Sequence, residues 1–208
     1  MRPINPPWRD AQRTCRACFD VAPPLAYEGP EGRARPMFHE EGSLDAQVLF
    51  VLEAPNRDDT FHPRKGRLTV EPDTDPTGAF LAELLEAEAR LDLHEVLFVN
   101  AVMCLPAAKN GAYRVTARQL NTCVGHLRTT ISEVRPKVVV PLGGPALRAT
   151  ARLEEHGLRK VSDAVGRATP WLERTLYPLV HPSRLGRVTR PEPMMRKDWR
   201  ALGALLRS

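Results

Sequence analysis

The sequence predicts an α/β fold of three layers, with helices on both faces of a mostly parallel, four-stranded central sheet. Short runs of consecutive apolar residues, typical of strands buried on both faces, alternate with stretches whose apolar residues recur at helical spacing. Loops rich in proline and glycine separate them. A chain of 208 residues suits one domain. We therefore expect a single domain over residues 1–208, with an irregular arm over about the first 45.

Each predicted element follows from its own pattern. The strands are the apolar runs at residues 46–52, 96–99, 138–142 and 176–180. A first helix follows Thr77, because Phe80, Leu81, Leu84 and Leu85 share one helical face. Further helices are predicted from the N-cap Thr116 to Val134, over residues 145–153 after a Gly-Gly turn, and over residues 193–206.

Three polar residues stand where predicted strands end. Glu53 follows the first strand, Asn100 the second and His181 the fourth. Ligands of open parallel sheets bind at the carboxyl ends of the strands, so the sequence places a candidate site there.

Composition excludes some classes of protein. Apolar residues make up 42% of the chain and charged residues 26%, close to the average of soluble domains. No apolar run approaches the roughly 20 residues of a membrane-spanning helix, and the first residues lack the apolar stretch of a signal peptide. We expect a cytoplasmic protein, a monomer, with no membrane partner.

The formal charge is +5, and 25 of the 30 basic residues are arginine. Arginine binds phosphate oxygens through two parallel hydrogen bonds, so this bias fits a nucleic-acid partner. It equally fits the codon usage of a GC-rich genome. Charge alone leaves the two explanations open.

The four cysteines have the spacing of a metal site. Cys15 and Cys18 form a CxxC pair in the arm, Cys104 follows the second strand, and Cys123 lies on the next helix. Four thiolates accept either zinc or an iron–sulfur cluster, and the sequence does not distinguish them. The alternative is a CxxC pair beside two unrelated buried thiols.

These pieces together resemble the uracil-DNA glycosylase superfamily, most closely its iron–sulfur-containing branch (family 4 and relatives). The resemblance runs from Cys15 to about Arg187. It rests on the CxxC pair and on four further motifs in order, which are Leu52-Glu53-Ala54-Pro55-Asn56, Asn100-Ala101-Val102-Met103-Cys104, Leu142-Gly143 and His181-Pro182-Ser183-Arg184-Leu185.

The resemblance implies hydrolysis of the N-glycosidic bond of uracil, or of another deaminated base, in DNA at the start of base-excision repair. It also implies a [4Fe-4S] cluster on Cys15, Cys18, Cys104 and Cys123. Asn100 would read the base edge, because its amide offers a donor and an acceptor. His181 would stabilise the departing anion. Glu53 would orient water or support the sugar cation.

Further positions follow from the same motifs. Ala54, Pro55, Asn56 and Ser183 would line the base pocket. Ser183, Arg184 and Leu185 would form a minor-groove loop, with Leu185 as the wedge that fills the vacated stack, and Arg187 would also contact DNA. Residues 184–200 are rich in arginine, which fits phosphate contacts.

The chain departs from the family pattern at several positions. Leu52 and Asn56 replace motif glycines, and Ala54 stands where the best-known members have a general-base Asp. Gly66-Arg67-Leu68-Thr69 lacks the aromatic ring that stacks on the base, so Phe61 is the candidate substitute. These changes keep two alternatives open: a damaged-DNA-binding protein with little or no turnover, and an unrelated α/β domain with structural zinc.

Overall fold

The computed structural model describes residues 6–18, 42–55, 75–92, 94–106, 108–109 and 112–208, and the fold below concerns those residues. The strands of the central sheet are β1 (Val48–Leu52), β2 (Val96–Asn100), β5 (Val138–Pro141), β6 (Thr169–Trp171) and β7 (Arg174–Leu176). They lie side by side in the order β2-β1-β5-β7-β6. The first four in that order are parallel, and β6 is antiparallel. Short strands β3 (Ala108–Lys109) and β4 (Ala112–Tyr113) pair apart from this sheet.

The described helices are α1 (Pro7–Arg13), α2 (Pro76–Glu83) with a π-helical continuation (Leu84–Ala89), α3 (Ala117–Val134), α4 (Gly144–Leu153), α5 (Val161–Ala164), α6 (Arg184–Thr189) and α7 (Glu192–Arg207). The predicted start of α3 is confirmed. The Thr116 hydroxyl accepts from Gln119 N–H at 3.2 Å, and Gln119 Oε1 accepts from Thr116 N–H at 2.8 Å. No described helix is long and apolar enough to cross a membrane.

Alternation along the strands divides the core into two layers, as the three-layer prediction requires. Leu49 and Val51 of β1 pack with α3 and α4, whereas Val48 and Phe50 pack with α2 and α7. Phe50 stacks between Phe98 and Trp199, with ring centroids 5.1 and 5.2 Å away. Both sheet faces are therefore covered by helices, and a ligand can reach the sheet only at the ends of its strands.

The number of strands in the prediction was wrong: the sheet has five strands, not four. The missing strand is β6, which a two-residue turn joins to β7. Leu172 and Glu173 form that turn at φ values of 46° and 58°. Such turns usually carry Asn or Gly, so the hairpin has no sequence signal.

The fourth strand was predicted at residues 176–180, but the observed strand β7 begins two residues earlier, at Arg174. β7 ends at Leu176, although Tyr177 and Leu179 still donate backbone hydrogen bonds to β5 at 2.9 and 3.0 Å. Pro178 lacks an N–H and can donate no bond to a neighbouring strand. The chain nonetheless runs on beside β5 and delivers His181 to the expected edge.

Two segments expected to be irregular contain helices. Helix α1 lies in the arm, with Pro6 as N-cap and Pro7 in its first turn. The expected loop, residues 183–185, instead caps and begins α6, where Ser183 is the N-cap and its hydroxyl accepts from Gly186 N–H at 3.3 Å.

Candidate active site

The carboxyl edge of the sheet brings the three strand-end residues together, as predicted. Asn100 lies opposite Leu52 in the register of β1 and β2, so Glu53 follows directly beside it. Across the sheet, Leu142 bridges Leu179 and Gly143 N–H donates to Leu179 C=O at 2.9 Å. A Cβ on Gly143 would lie 3.7 Å from the Cβ of His181. The edge thus presents Asn100, Glu53, Gly143 and His181 in that order.

Asn100 is buried, with 4% of its surface exposed, yet its amide has no hydrogen-bond partner within the described part of the chain. Both Nδ2 and Oδ1 are buried and unpaired. Leaving a buried polar group unpaired costs about 1–3 kcal/mol, so native structures rarely tolerate one without a function. One donor and one acceptor are therefore available to a ligand at this position.

His181 has a defined tautomer. Ser183 N–H donates to its Nδ1 at 3.2 Å, so Nδ1 carries the lone pair and the proton of the neutral ring is on Nε2. Burial lowers the pKa of His181, and the Asp75 carboxylate acts weakly in the opposite direction. The ring is consequently neutral near pH 7 and can donate through Nε2.

Glu53 is half-buried, and burial raises the pKa of its carboxyl group. A backbone hydrogen bond from Val115 and the positive charge of Arg148 both act to lower that pKa. Val115 directly precedes the N-cap of α3, and Arg148 lies on α4. The carboxyl group therefore lies near the start of α3 and within reach of the Arg148 charge, beside Asn100.

Helix α6 packs its N-terminal part against the histidine. Gly186 is buried, and a Cβ on it would overlap the backbone carbonyl oxygen of His181. It would also approach Cγ1 of Val180 to 3.3 Å. Ser183, predicted at the substrate, uses its N–H on His181 and its hydroxyl on Gly186. Both residues fix the position of the imidazole.

Most of the basic side chains predicted for DNA have acidic partners. Arg187 lies 3.4 Å from Glu192 and its guanidinium covers the ring of Phe80 at 5.3 Å. The other ion pairs of the described residues are Arg190–Asp198 at 2.7 Å, Arg196–Glu83 at 2.7 Å, Arg196–Glu88 at 3.0 Å and Arg200–Glu88 at 2.6 Å. Arg184 and Lys197 are exposed and have no acidic partner among the described residues. Few cations of residues 184–200 are therefore left without an acidic partner in the described part of the chain.

Leu185 and Val188 point away from the protein on α6. They are 75% and 76% exposed, and with Met194 at 45% they are the exposed large apolar side chains of the described residues. The predicted wedge position of Leu185 agrees with this exposure.

The four cysteines are free thiols, and three of them, Cys18, Cys104 and Cys123, are buried. Burial is the main cause that raises the pKa of each buried thiol, to about 12 for Cys123. The other three cysteines add to the rise at Cys104, which indicates that all four lie near one another. In the described ranges, no group of three or more His, Cys, Asp or Glu is arranged so that it could hold a metal ion.

Helix α1 explains why the CxxC pair lies near α3. Gln12 is buried, and its Nε2 donates to the His126 carbonyl at 3.0 Å and to Thr130 Oγ1 at 3.2 Å. Trp8 packs against the same core layer as α3. The arm is thereby held to α3, the helix that carries Cys123.

The first motif is described only in part. Ala54 is half-buried and Pro55 is buried directly after Glu53, which is where the sequence placed the base pocket. Asn56, Phe61 and residues 66–69 lie outside the described residues.

The sequence reasoning missed four residues at this edge. Val115 and Arg148 act on Glu53, Asp75 acts on His181, and Gly186 packs on the His181 backbone. Only Asp75 had a signal, because an Asp before Pro76-Thr77 is a typical N-cap, and its carboxylate does accept from Thr77 and Gly78 N–H.

Comparison with known proteins identifies the family. No curated protein matches the chain. The family model described as "Uracil DNA glycosylase superfamily" matches residues 39–203, which include β1 to β7, Glu53, Asn100 and His181. That match covers most of the chain. The chain therefore belongs to the uracil DNA glycosylase superfamily.

Proposed function

We propose that this protein is a monofunctional DNA glycosylase that removes uracil or another deaminated base by hydrolysis of the bond between the base and C1′. The unpaired, buried amide of Asn100 carries the proposal. It offers one acceptor and one donor, and the O4 and N3–H edge of uracil supplies the matching pair. A base inside a duplex cannot reach a buried amide, so the nucleotide has to leave the stack.

His181 supplies the electrostatic step. As the C1′–N1 bond breaks, its electron pair leaves with the base, and negative charge spreads over N1 and O2 of uracil. Nε2–H of the neutral ring can donate to O2 and bind this anion more tightly than the neutral base. Burial lowers the pKa of His181, so the ring stays neutral and stabilises the anion by a hydrogen bond and not by a positive charge.

Glu53 would act on the sugar side. The ionised carboxylate favours the positive charge that develops at C1′ and can accept a hydrogen bond from the attacking water. Water adds to C1′, its second proton goes to the carboxylate or to solvent, and the anionic base takes up a proton. Val115 and Arg148 support this role because both favour the ionised form.

A cleavage assay tests the proposal. Wild type, Asn100→Asp, Asn100→Ala and His181→Ala would be incubated with a uracil-containing oligonucleotide, and abasic sites would be counted after alkali cleavage. We expect wild type to release the base and both alanine variants to lose about 100-fold or more in rate, as with other lost transition-state donors. Arg200→Ala, on an exposed ion pair of α7, is the matched control and should keep full activity.

Other outcomes have definite meanings. Wild type that binds the oligonucleotide and leaves the base in place would favour the DNA-binding alternative. Activity unchanged in both alanine variants would contradict the site assignment while leaving the reaction intact.

We further propose that Cys15, Cys18, Cys104 and Cys123 hold a [4Fe-4S] cluster. The donor chemistry fits, since four thiols influence one another and three are buried. In such a cluster each thiolate binds a different iron, so the sulfurs do not have to converge on one ion. When bound, the cluster would cross-link the arm to α3 and to the loop that follows β2, and we assign it no part in the hydrolysis.

Iron and sulfide analysis with a visible spectrum tests this assignment. We expect about four iron and four sulfide per chain and broad visible absorption, which Cys104→Ser should abolish or strongly reduce. A colourless protein with one equivalent of zinc would overturn the cluster in favour of a zinc site.

A further inference from the structure

Helix α6 carries an exposed apolar face that extends beyond Leu185, the predicted wedge. Within the described residues, Leu185, Val188 and Met194 are the large apolar side chains exposed to solvent. Two of these three lie on this six-residue helix, three positions apart. With successive residues about 100° apart around a helix, Val188 falls between Leu185 and Arg184 on one outward face.

The opposite face of α6 is fixed to the protein. Gly186 lies against the His181 carbonyl, and Arg187 contacts both Phe80 and Glu192. Arg190, which follows the helix, forms two hydrogen bonds of 2.7 Å with the Asp198 carboxylate. These contacts fix α6 on the protein. The outward face of α6 therefore loses little conformational freedom when a partner binds to it.

Charge and position point to DNA as the occupant. Arg184 is exposed, has no acidic partner among the described residues and shares this face, so it can approach a phosphate. Ser183, the N-cap of the helix, donates to the imidazole of His181, so the face continues from the proposed base pocket.

Leu185 and Val188 cannot fill the same gap. Side chains three residues apart on a helix have Cβ atoms about 5–6 Å apart, whereas bases stack about 3.4 Å apart. If Leu185 occupies the space of the extruded base, Val188 reaches past it to the neighbouring pair. The complementary strand holds such a neighbour in place only in a duplex, because the bases of a single strand unstack readily.

We propose that Val188 is a second apolar contact that selects double-stranded over single-stranded DNA at the extruded nucleotide. This inference rests on the proposed glycosylase function and on Leu185 as the wedge. It assigns the strand preference to a residue outside the base pocket.

Binding and cleavage measured together test it. Val188→Ala and Val188→Thr would be compared with wild type on one oligonucleotide carrying an abasic-site analogue, single-stranded and annealed, by fluorescence anisotropy. The uracil-containing equivalents would be cleaved in parallel. Val188→Thr preserves the branched shape and removes the apolar character, and Val188 is exposed, so neither variant should impair folding.

For Val188→Ala we expect duplex affinity to fall about tenfold, the effect of two methyl groups removed from an apolar contact, and single-strand affinity to stay unchanged. The duplex affinity of Val188→Thr should also fall. Met194→Ala, an exposed apolar residue on α7, is the matched control and should change neither.

Equal losses on both forms of DNA, no loss on either, or the same duplex loss in Met194→Ala would overturn the inference. Wild type that binds the abasic duplex but cleaves neither uracil substrate would refute the proposed function alone. The affinity ratios would still decide the role of Val188.

Discussion

At the residue scale, the active-site edge shows how far sequence reasoning reaches. Asn100, Glu53 and His181 could be identified because a parallel sheet gathers its strand ends at one edge. Their surroundings could not. Val115, Arg148 and Asp75 act on them across long separations in the chain, and nothing local to any one of the three indicates which carboxyl or imidazole it will face.

Arg148 should set the acid limit of activity through Glu53. Burial raises the pKa of Glu53 and the charge of Arg148 lowers it, so Arg148→Gln should raise that pKa further. Because the proposed role requires the ionised carboxylate, activity is lost as pH falls through the pKa. The acid limb of the kcat/KM profile should therefore move to higher pH.

Arg152→Gln is the control for that measurement. Arg152 lies one turn further along α4 and bonds to Asn121 at 2.6 Å. A shift of equal size in this variant, or a shift toward lower pH in Arg148→Gln, would contradict the assigned interaction.

Gly186 should be required for the position of His181. An added Cβ would overlap the His181 carbonyl oxygen. Because that oxygen belongs to the backbone, the overlap can be relieved only if the backbone of α6 or of His181 shifts. Gly186→Ala should lower kcat at least tenfold, because a small displacement of an oriented catalytic group has large effects on rate. Gly125→Ala, where a Cβ meets nothing within 4 Å, is the control and should keep full activity.

The measurement should separate position from stability. Thermal unfolding of Gly186→Ala shows whether the protein folds, and the pH profile of kcat reports the environment of the imidazole. Normal kcat with an unchanged profile would show that α6 adapts without moving His181.

At the element scale, prediction succeeded where local signals agree with packing. The α3 start was correct because Thr116 and Gln119 form a reciprocal cap, and α7 was correct within a residue at each end because its apolar face is regular. Prediction failed for β6 and for α6. Both elements are too short for a periodic pattern, and the Leu172-Glu173 turn uses residues that seldom adopt positive φ.

The Thr116 cap should make a measurable contribution to stability. Thr116→Ala removes an acceptor for the first turn of α3 and should lower the free energy of unfolding by about 1 kcal/mol. Thr129→Ala changes the same residue type in the middle of α3, where Ala is the better helix former, and should cost less. Urea denaturation measures both, and equal losses would contradict the capping role.

At the scale of the whole molecule, the number of arginines in residues 184–200 overstates the capacity of this segment to bind phosphate. Four arginines among residues 184–200 are paired with carboxylates, and these pairs join α2 and its continuation to α7, and α6 to α7. The arginine-rich segment thus holds helices together. A count of charges in the sequence gives no indication of this, because Glu83 and Glu88 are about a hundred residues away.

The salt dependence of DNA binding should reflect this pairing. Arg184→Ala removes an unpaired cation and should reduce the slope of log K against log salt by about one. Arg200→Ala removes a paired cation and should leave the slope unchanged. Affinities for duplex DNA at several salt concentrations provide the slopes, and the reverse ranking would contradict this account.

The unpaired amide of Asn100 also places stability and activity in opposition. In the free protein the buried amide has lost its hydrogen bonds to water and forms none with the described residues. A ligand with the matching edge removes this free-energy cost by binding. An apolar substitute of similar size, such as Asn100→Leu, would be expected to strengthen the fold as it abolishes recognition of the base. Selection for stability alone would therefore favour an apolar residue at this position, whereas binding of a ligand favours the amide.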